Sequence, residues 1–147
     1  MTERLKAGQS LARGVSRHLR GLGFSCLLEF SPSRGLRADV IALGQRGELW
    51  IVECKSSRSD FQADKKWLGY LAWCDQFFWA VDLTFPTEIL PPETGLIIAD
   101  SYDAEIARHG PVARVAAARR KTLTQRFAAT AASRLQRLTD PSAFRLG

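Results

Sequence analysis

The segment from Arg37 to Lys55 constrains the fold more than any other part of this chain. Two short apolar runs, 36–43 and 48–55, flank Gly44-Gln45-Arg46-Gly47. A turn of that composition between two such runs predicts a β-hairpin. Charges sit inside both runs: Asp39 in the first, Glu53 and Lys55 at the end of the second, with thirteen residues between the two carboxylates. Side chains alternate along a strand, so Glu53 and Lys55 share a face with Leu49 and Ile51, while Trp50, Val52 and Cys54 take the other. A strand that is apolar on both faces is a buried strand, and buried charge is costly unless it is paired or bound to metal. Two carboxylates and an ammonium forced together at a strand end point to a hard-cation site with a catalytic amine.

Around this hairpin the chain reads as one soluble domain over residues 1–147. A length of 147 residues is enough for a sizeable core, and 46% hydrophobic residues argue against disorder. No apolar stretch reaches the ~18 residues of a spanning helix, and the first residues lack the apolar core of a secretory signal, so the expectation is a cytoplasmic protein with no membrane partner. Cys26, Cys54 and Cys74 each sit beside apolar residues, which predicts buried, reduced thiols. His18 and His109 have no ligand partner at short spacing and read as surface or capping residues. The net charge of +6 is unevenly spread: residues 1–25 carry +4, residues 26–110 carry −5 and residues 111–147 carry +7. Basic ends around an acidic centre suit a polyanion held on either side of a metal site, although arginine-rich helices that merely solvate their outer faces give the same totals.

The pattern of elements is helix, three strands, helix, then strands and a last helix. A first helix over about 3–22 is predicted by the stripe Leu5, Gly8, Ala12, Val15, Leu19 and Leu22, with Arg13, Arg17 and Arg20 as a separate basic row. A strand over 24–30 and a loop over 31–35 lead into the hairpin. Ser59 with Gln62 fits a capping box for a second helix that carries Phe61, Trp67, Leu68, Leu71 and Ala72. Gln62, Lys66 and Tyr70 then recur at intervals of four on one face. Strands follow at 75–81, 95–99 and 104–108, separated by a proline-rich connector at 85–93. A basic helix over about 116–138 has Leu123, Phe127, Leu135 and Leu138 on its apolar side, and ends at Asp140-Pro141 before a loose tail. The four tryptophans read as core residues rather than base-stacking platforms.

Asp39, Glu53 and Lys55 resemble the motif of the PD-(D/E)XK nuclease superfamily. More closely, LARGVSRHLRGLGF, the glutamate of LLEF, GLRADVIAL, ELWIVECKSSRSDFQADKKW, GYLAWCDQFFWAV and GLIIAD are similar to the MmcB-like family of bacterial DNA repair proteins, over about residues 11–141. The resemblance implies an α/β, restriction-endonuclease-like core: a mixed central sheet flanked by helices, built as a three-strand meander, a crossover helix and a parallel strand. It departs from the superfamily name at one position, Ala38 standing where the motif has proline.

For the site, the resemblance implies Asp39 and Glu53 as ligands of Mg2+ or Mn2+, with the backbone carbonyl of Cys54 as a further ligand. Lys55 would orient or deprotonate the attacking water, or stabilise transition-state charge. Glu29 would assist through a metal-bound water; the alternative is a polar residue on an exposed strand face. Gln62, Lys66 and Tyr70 resemble the polar residues that the following helix lends to such sites; the alternative is a solvent-facing row with a half-buried tyrosine. Arg13, Arg17, Arg20, Arg119, Arg120, Arg126 and Arg134 are the expected phosphate contacts. The expected function is a metal-dependent DNA endonuclease of DNA repair, partnered by DNA and by other repair proteins. The alternatives are a DNA-binding or scaffold module that keeps the fold without cleaving, and a nuclease of RNA or branched junctions. Oligomeric state stays open, a homodimer being the arrangement small nucleases of this type often use to cut both strands.

Overall fold

Six strands form one sheet in the order β1-β2-β3-β4-β5-β6. The computed structural model describes residues 3–144, with side chains described from Lys6 onward. β1 (Ser25–Phe30), β2 (Ala38–Leu43) and β3 (Leu49–Cys54) make an antiparallel meander. β4 (Gln76–Val81) lies parallel to β3, β5 (Gly95–Ala99) parallel to β4, and β6 (Ala104–Arg108) antiparallel to β5. The hairpin turns at Gly47, whose φ of +86° needs a residue without a Cβ, while the Gly44 N–H donates to the Glu48 carbonyl.

Each sheet face has its own core. α1 (Glu3–Gly21) lays Leu11, Ala12, Val15 and Leu19 on Val40, Ala42, Trp50, Val52, Phe78 and Ile97. The opposite face, with Ile41, Leu49, Ile51, Phe77 and Trp79, is covered by Tyr70, Phe85, Leu90, Leu123 and Phe127. All six residues of β3 are buried, which is what its two apolar faces require. α1 closes in a Schellman motif: Phe24 N–H donates to Leu19 O and Gly23 N–H to Arg20 O, with Gly23 left-handed at φ +95°. At Gly14 the helix runs so close to the β5–β6 turn that a Cβ would meet the Asp100 carbonyl oxygen at 1.8 Å.

Four sequence expectations are corrected. Leu22 lies past the cap and is 54% exposed, and Leu11 takes its place in the stripe; the side chain of Leu5 lies outside the described residues. The second helix starts two residues earlier, because Ser57 rather than Ser59 is the N-cap and accepts from the Asp60 N–H. That helix is also broken in two, into α2 (Arg58–Ala63) and a 3-10 helix (Trp67–Trp73). Asp64 breaks it by turning extended (φ −77°, ψ 115°) and accepting the Lys66 N–H on its own carboxylate at 2.8 Å, a local bond that competes with the helical ladder. Finally, α3 (Ala117–Thr139) buries Leu123 and Phe127, but Leu135 and Leu138 are 61% and 81% exposed and belong to neither core. The segment after α3 forms one 3-10 turn, Pro141–Phe144, with Arg137 stacked over the Phe144 ring; the rest of the tail lies outside the described residues. All three cysteines are free thiols, and no helix among the described residues is long and apolar enough to cross a membrane.

Candidate active site

β2 and β3 splay apart where the hairpin opens, and the two carboxylates of the motif fill the gap. The register Ile41↔Ile51 and Val40↔Val52, continued one residue, sets Asp39 opposite Glu53. There the ladder is replaced by reciprocal side-chain bonds. Cys54 N–H donates to Asp39 Oδ2 at 2.8 Å, and Asp39 N–H donates to Glu53 Oε1 at 3.2 Å. Both carboxylates face a cavity of about 410 Å3, whose polar lining also includes Glu29, Arg37, Lys55 and Asp60, and whose far rim is Gly8, Gln9 and Ala12 of α1. Glu53 is only 5% exposed.

The electrostatics follow from burial. Burial first, and the neighbouring Asp39 charge second, push the carboxyl of Glu53 up from 4.5 to about 9. Burial also raises Asp39, against the pull of the Cys54 N–H. Glu53 therefore keeps its proton at neutral pH when no cation offsets the pair. Lys55 behaves differently. Burial alone would lower its pKa, but an ion pair to Asp64 at 2.9 Å, with Asp60 and Glu53 nearby, outweighs that and raises it. Lys55 is thus held as an ammonium by its acidic neighbours.

Glu29 reaches the cavity from β1 through a strained backbone. Its φ is +51°, rare for a residue with a side chain, and the β1–β2 pairing skips it between Leu28↔Val40 and Phe30↔Ala38. The kink leaves carbonyls pointing outward, and α3 collects them: Arg134 donates to Leu28 O and to Glu29 O at 2.9 Å, Arg126 to Ser31 O and to Pro32 O at 2.7 Å.

The proposed polar row is divided: Tyr70 adjoins Glu53, whereas Gln62 and Lys66 are not among the residues lining the cavity. With the helix broken at Asp64, Gln62 is exposed on α2, and Lys66 turns away to Gly35 O at 3.4 Å. Tyr70 is buried, its hydroxyl donating to Arg37 O at 2.8 Å and accepting from Arg37 N–H at 3.2 Å. It therefore fixes the start of β2 from below, and burial together with the Glu53 charge raises its pKa.

The expected phosphate contacts divide in two. Arg13, Arg17 and Arg20 are exposed on α1, Arg17 donating to Tyr102 O at 2.7 Å. The α3 arginines are occupied by the protein itself. Besides Arg126 and Arg134, Arg119 donates to Ala72 O and stacks over Trp73, and Arg120 grips the buried Asp75 with both nitrogens at 2.6 and 2.7 Å. Asp75 also accepts from Leu49 N–H and Val115 N–H, so it ties β3, the start of β4 and α3 together.

Sequence reasoning missed Asp64, Asp75 and the place of Arg37. Asp64 carried one signal: an acid near a helix C-terminus opposes the helix dipole and marks a break. Among the described residues no group of three or more His, Cys, Asp or Glu converges to hold a metal ion by protein ligands alone. Asp39 and Glu53 are the side chains that could hold one. Two buried carboxylate groups suit a hard divalent cation that keeps water or substrate oxygens in its remaining positions. Cys54 lines the same cavity, with its thiol buried on the α1 side and its N–H already given to Asp39.

The meander, the parallel strand beyond α2 and the acid pair at the open hairpin end together define a restriction-endonuclease-like α/β fold. A family model described as DNA repair protein MmcB-like matches residues 3–142, and the chain belongs to that family. Among solved structures, the SPO1766 protein of unknown function from Silicibacter pomeroyi is 62% identical, with a TM-score of 0.91 over 96% of this chain and 95% of that one. No curated protein matches.

Proposed function

We propose that this chain is a metal-dependent deoxyribonuclease acting in DNA repair. The observation that carries the reading is the buried pair Asp39 and Glu53, facing a cavity beside a fixed ammonium at Lys55. A pure binding module has no need to bury two like charges side by side, since the arrangement is costly. Membership of a DNA repair family supplies the substrate class.

A bound Mg2+ or Mn2+ would neutralise phosphoryl charge and acidify a water. The chain's own residues do the rest. Asp39 and Glu53 hold the cation's position, each already anchored to the opposite strand by a backbone N–H. Lys55 presents a permanent positive charge to the scissile phosphate as negative charge develops. Glu29, held in its strained conformation, points a second acceptor at water in the cavity.

The test is a cleavage panel of single-stranded, duplex, nicked, flapped and four-way DNA with Mg2+, Mn2+ or EDTA. Lys55→Ala is expected to slow cleavage by about a hundredfold or more, with equilibrium binding of the same DNA little changed, because the ammonium acts mainly in the transition state. DNA binding without wild-type cleavage of any substrate would replace this reading with the non-catalytic scaffold.

A further inference from the structure

The three charges of the motif do not form the arrangement that simple electrostatics favours. Lys55 lies two residues from Glu53 on the same side of the strand, and its flexible stem could fold back onto the acid pair. There the ammonium would relieve two buried carboxylates at once. Instead, its ion pair is with Asp64 at 2.9 Å, and among the described residues neither Asp39 nor Glu53 has an ion pair within 4.0 Å. The Lys55–Asp64 pair is almost as enclosed as the acids, with side chains 10% and 9% exposed. The Lys55 ammonium also lies over Trp79, 6.0 Å from the ring centre.

Asp64 is itself held rigidly. It caps α2 through its N–H to Phe61 O at 3.0 Å, and its Oδ1 takes the Lys66 N–H, which leaves Oδ2 aimed at Lys55. The helix break that separates Gln62 from Tyr70 is therefore the same feature that delivers this carboxylate. An uninterrupted helix would give Asp64 no such fixed orientation.

We propose that Asp64 is a positioning residue: it holds the Lys55 ammonium away from Asp39 and Glu53, so that the acid pair stays open to a divalent cation instead of being neutralised from within. The inference rests on the proposed metal site. It assigns Asp64 a function that a nearby structural ion pair lacks, because losing Asp64 should create an internal competitor for the cation. Removing that competitor should then undo the damage.

Mn2+ titration calorimetry on four proteins tests this: wild type, Asp64→Asn, Lys55→Met and the Lys55→Met/Asp64→Asn double variant. Asparagine keeps an acceptor for the Lys66 N–H, and melting curves check that each protein folds. Asp64→Asn is expected to weaken Mn2+ binding roughly tenfold, and the double variant to return to within about twofold of Lys55→Met, the scale of one unit charge moved a few ångströms at an effective dielectric near 20. Asp64→Ser, which also keeps an acceptor, repeats the comparison if the asparagine variant does not fold. Unchanged affinity in Asp64→Asn overturns the proposal. So does weak binding that Lys55→Met fails to restore, since that would make Asp64 a general scaffold residue. Wild type that binds no Mn2+ at all is a distinct result: it removes the metal site itself, and this inference with it.

Discussion

Glu53→Gln should make the metal-free protein more stable at neutral pH, although it removes the group that matters most to the proposed chemistry. In the folded chain the Glu53 carboxyl titrates near 9, against 4.5 when exposed, chiefly because it is buried and secondarily because Asp39 faces it. The sign follows from proton counting. Between those two values the folded state keeps a proton that the unfolded state has lost, so stability is highest below the unfolded value and falls as pH rises toward the folded one. Each pH unit costs about 1.4 kcal/mol, so raising the pH from about 4.5 to about 7.5 removes about 4 kcal/mol. Glutamine has the shape of the protonated acid, and its amide oxygen can still accept the Asp39 N–H, so it escapes this penalty. In EDTA at about pH 7.5 the variant should melt roughly 10 °C above wild type, and near pH 5 the gap should almost close. Saturating Mn2+ should raise the wild-type melting temperature and leave the variant nearly unmoved. Thermal melts at two pH values, with EDTA and with Mn2+, give all these comparisons. A variant no more stable than wild type at pH 7.5, or a gap that does not change with pH, would refute the electrostatic account of this pair.

Two other residues give independent tests. Asp75→Ala should cost about 3 kcal/mol, because it strips two buried backbone N–H groups of their acceptor and leaves the guanidinium of Arg120 without its carboxylate partner. Burial alone would raise the Asp75 carboxyl, but Arg120 and the two N–H donors hold it below 3.8; its contribution is therefore present above that value and lost as pH falls through the lower, folded one, which urea melts at several pH values would show. Arg126→Ala with Arg134→Ala should lower the melting temperature yet leave the salt dependence of DNA binding almost unchanged, since Arg134 serves β1 carbonyls and Arg126 the Ser31 and Pro32 carbonyls just after the strand. Arg13→Ala with Arg20→Ala should do the reverse, each lowering the slope of log affinity against log salt by about one unit.

The parts of this structure that were legible in the sequence are those set by local periodicity. β3 alternates so cleanly that both of its faces, and the shared side of Glu53 and Lys55, follow from counting. β5 and β6 were bounded by glycine and a polar turn and appear where expected, Gly95–Ala99 and Ala104–Arg108. Illegible features depended on partners distant in the chain. Asp64 breaks its helix while serving Lys55 on another element. Leu135 and Leu138 continue the stripe of Leu123 and Phe127, and no periodicity states that they lie outside both cores. That arginines of α3 also serve backbone carbonyls was illegible too, because a bent edge strand, with carbonyls in need of donors, leaves no mark in composition.

That last point changes how the charge of the chain bears on its partner. In the most basic third of the sequence, at +7, Arg119, Arg120, Arg126 and Arg134 each donate to oxygens of the protein itself. Covering the outward carbonyls of β1 in this way also closes an edge that could otherwise pair with another strand. A second basic row is exposed on α1. Gln9 stands at the cavity rim, and Arg13, Arg17 and Arg20 continue from it at helical spacing along an exposed face. On the proposed reading, a nucleic-acid strand laying its phosphates on this row would be led toward the cavity of Asp39 and Glu53, whose lining includes Arg37. On that reading the cation, Lys55 and the α1 row would supply the positive charge at the scissile phosphate, while Arg126 and Arg134 of α3 brace the carbonyls around Glu29.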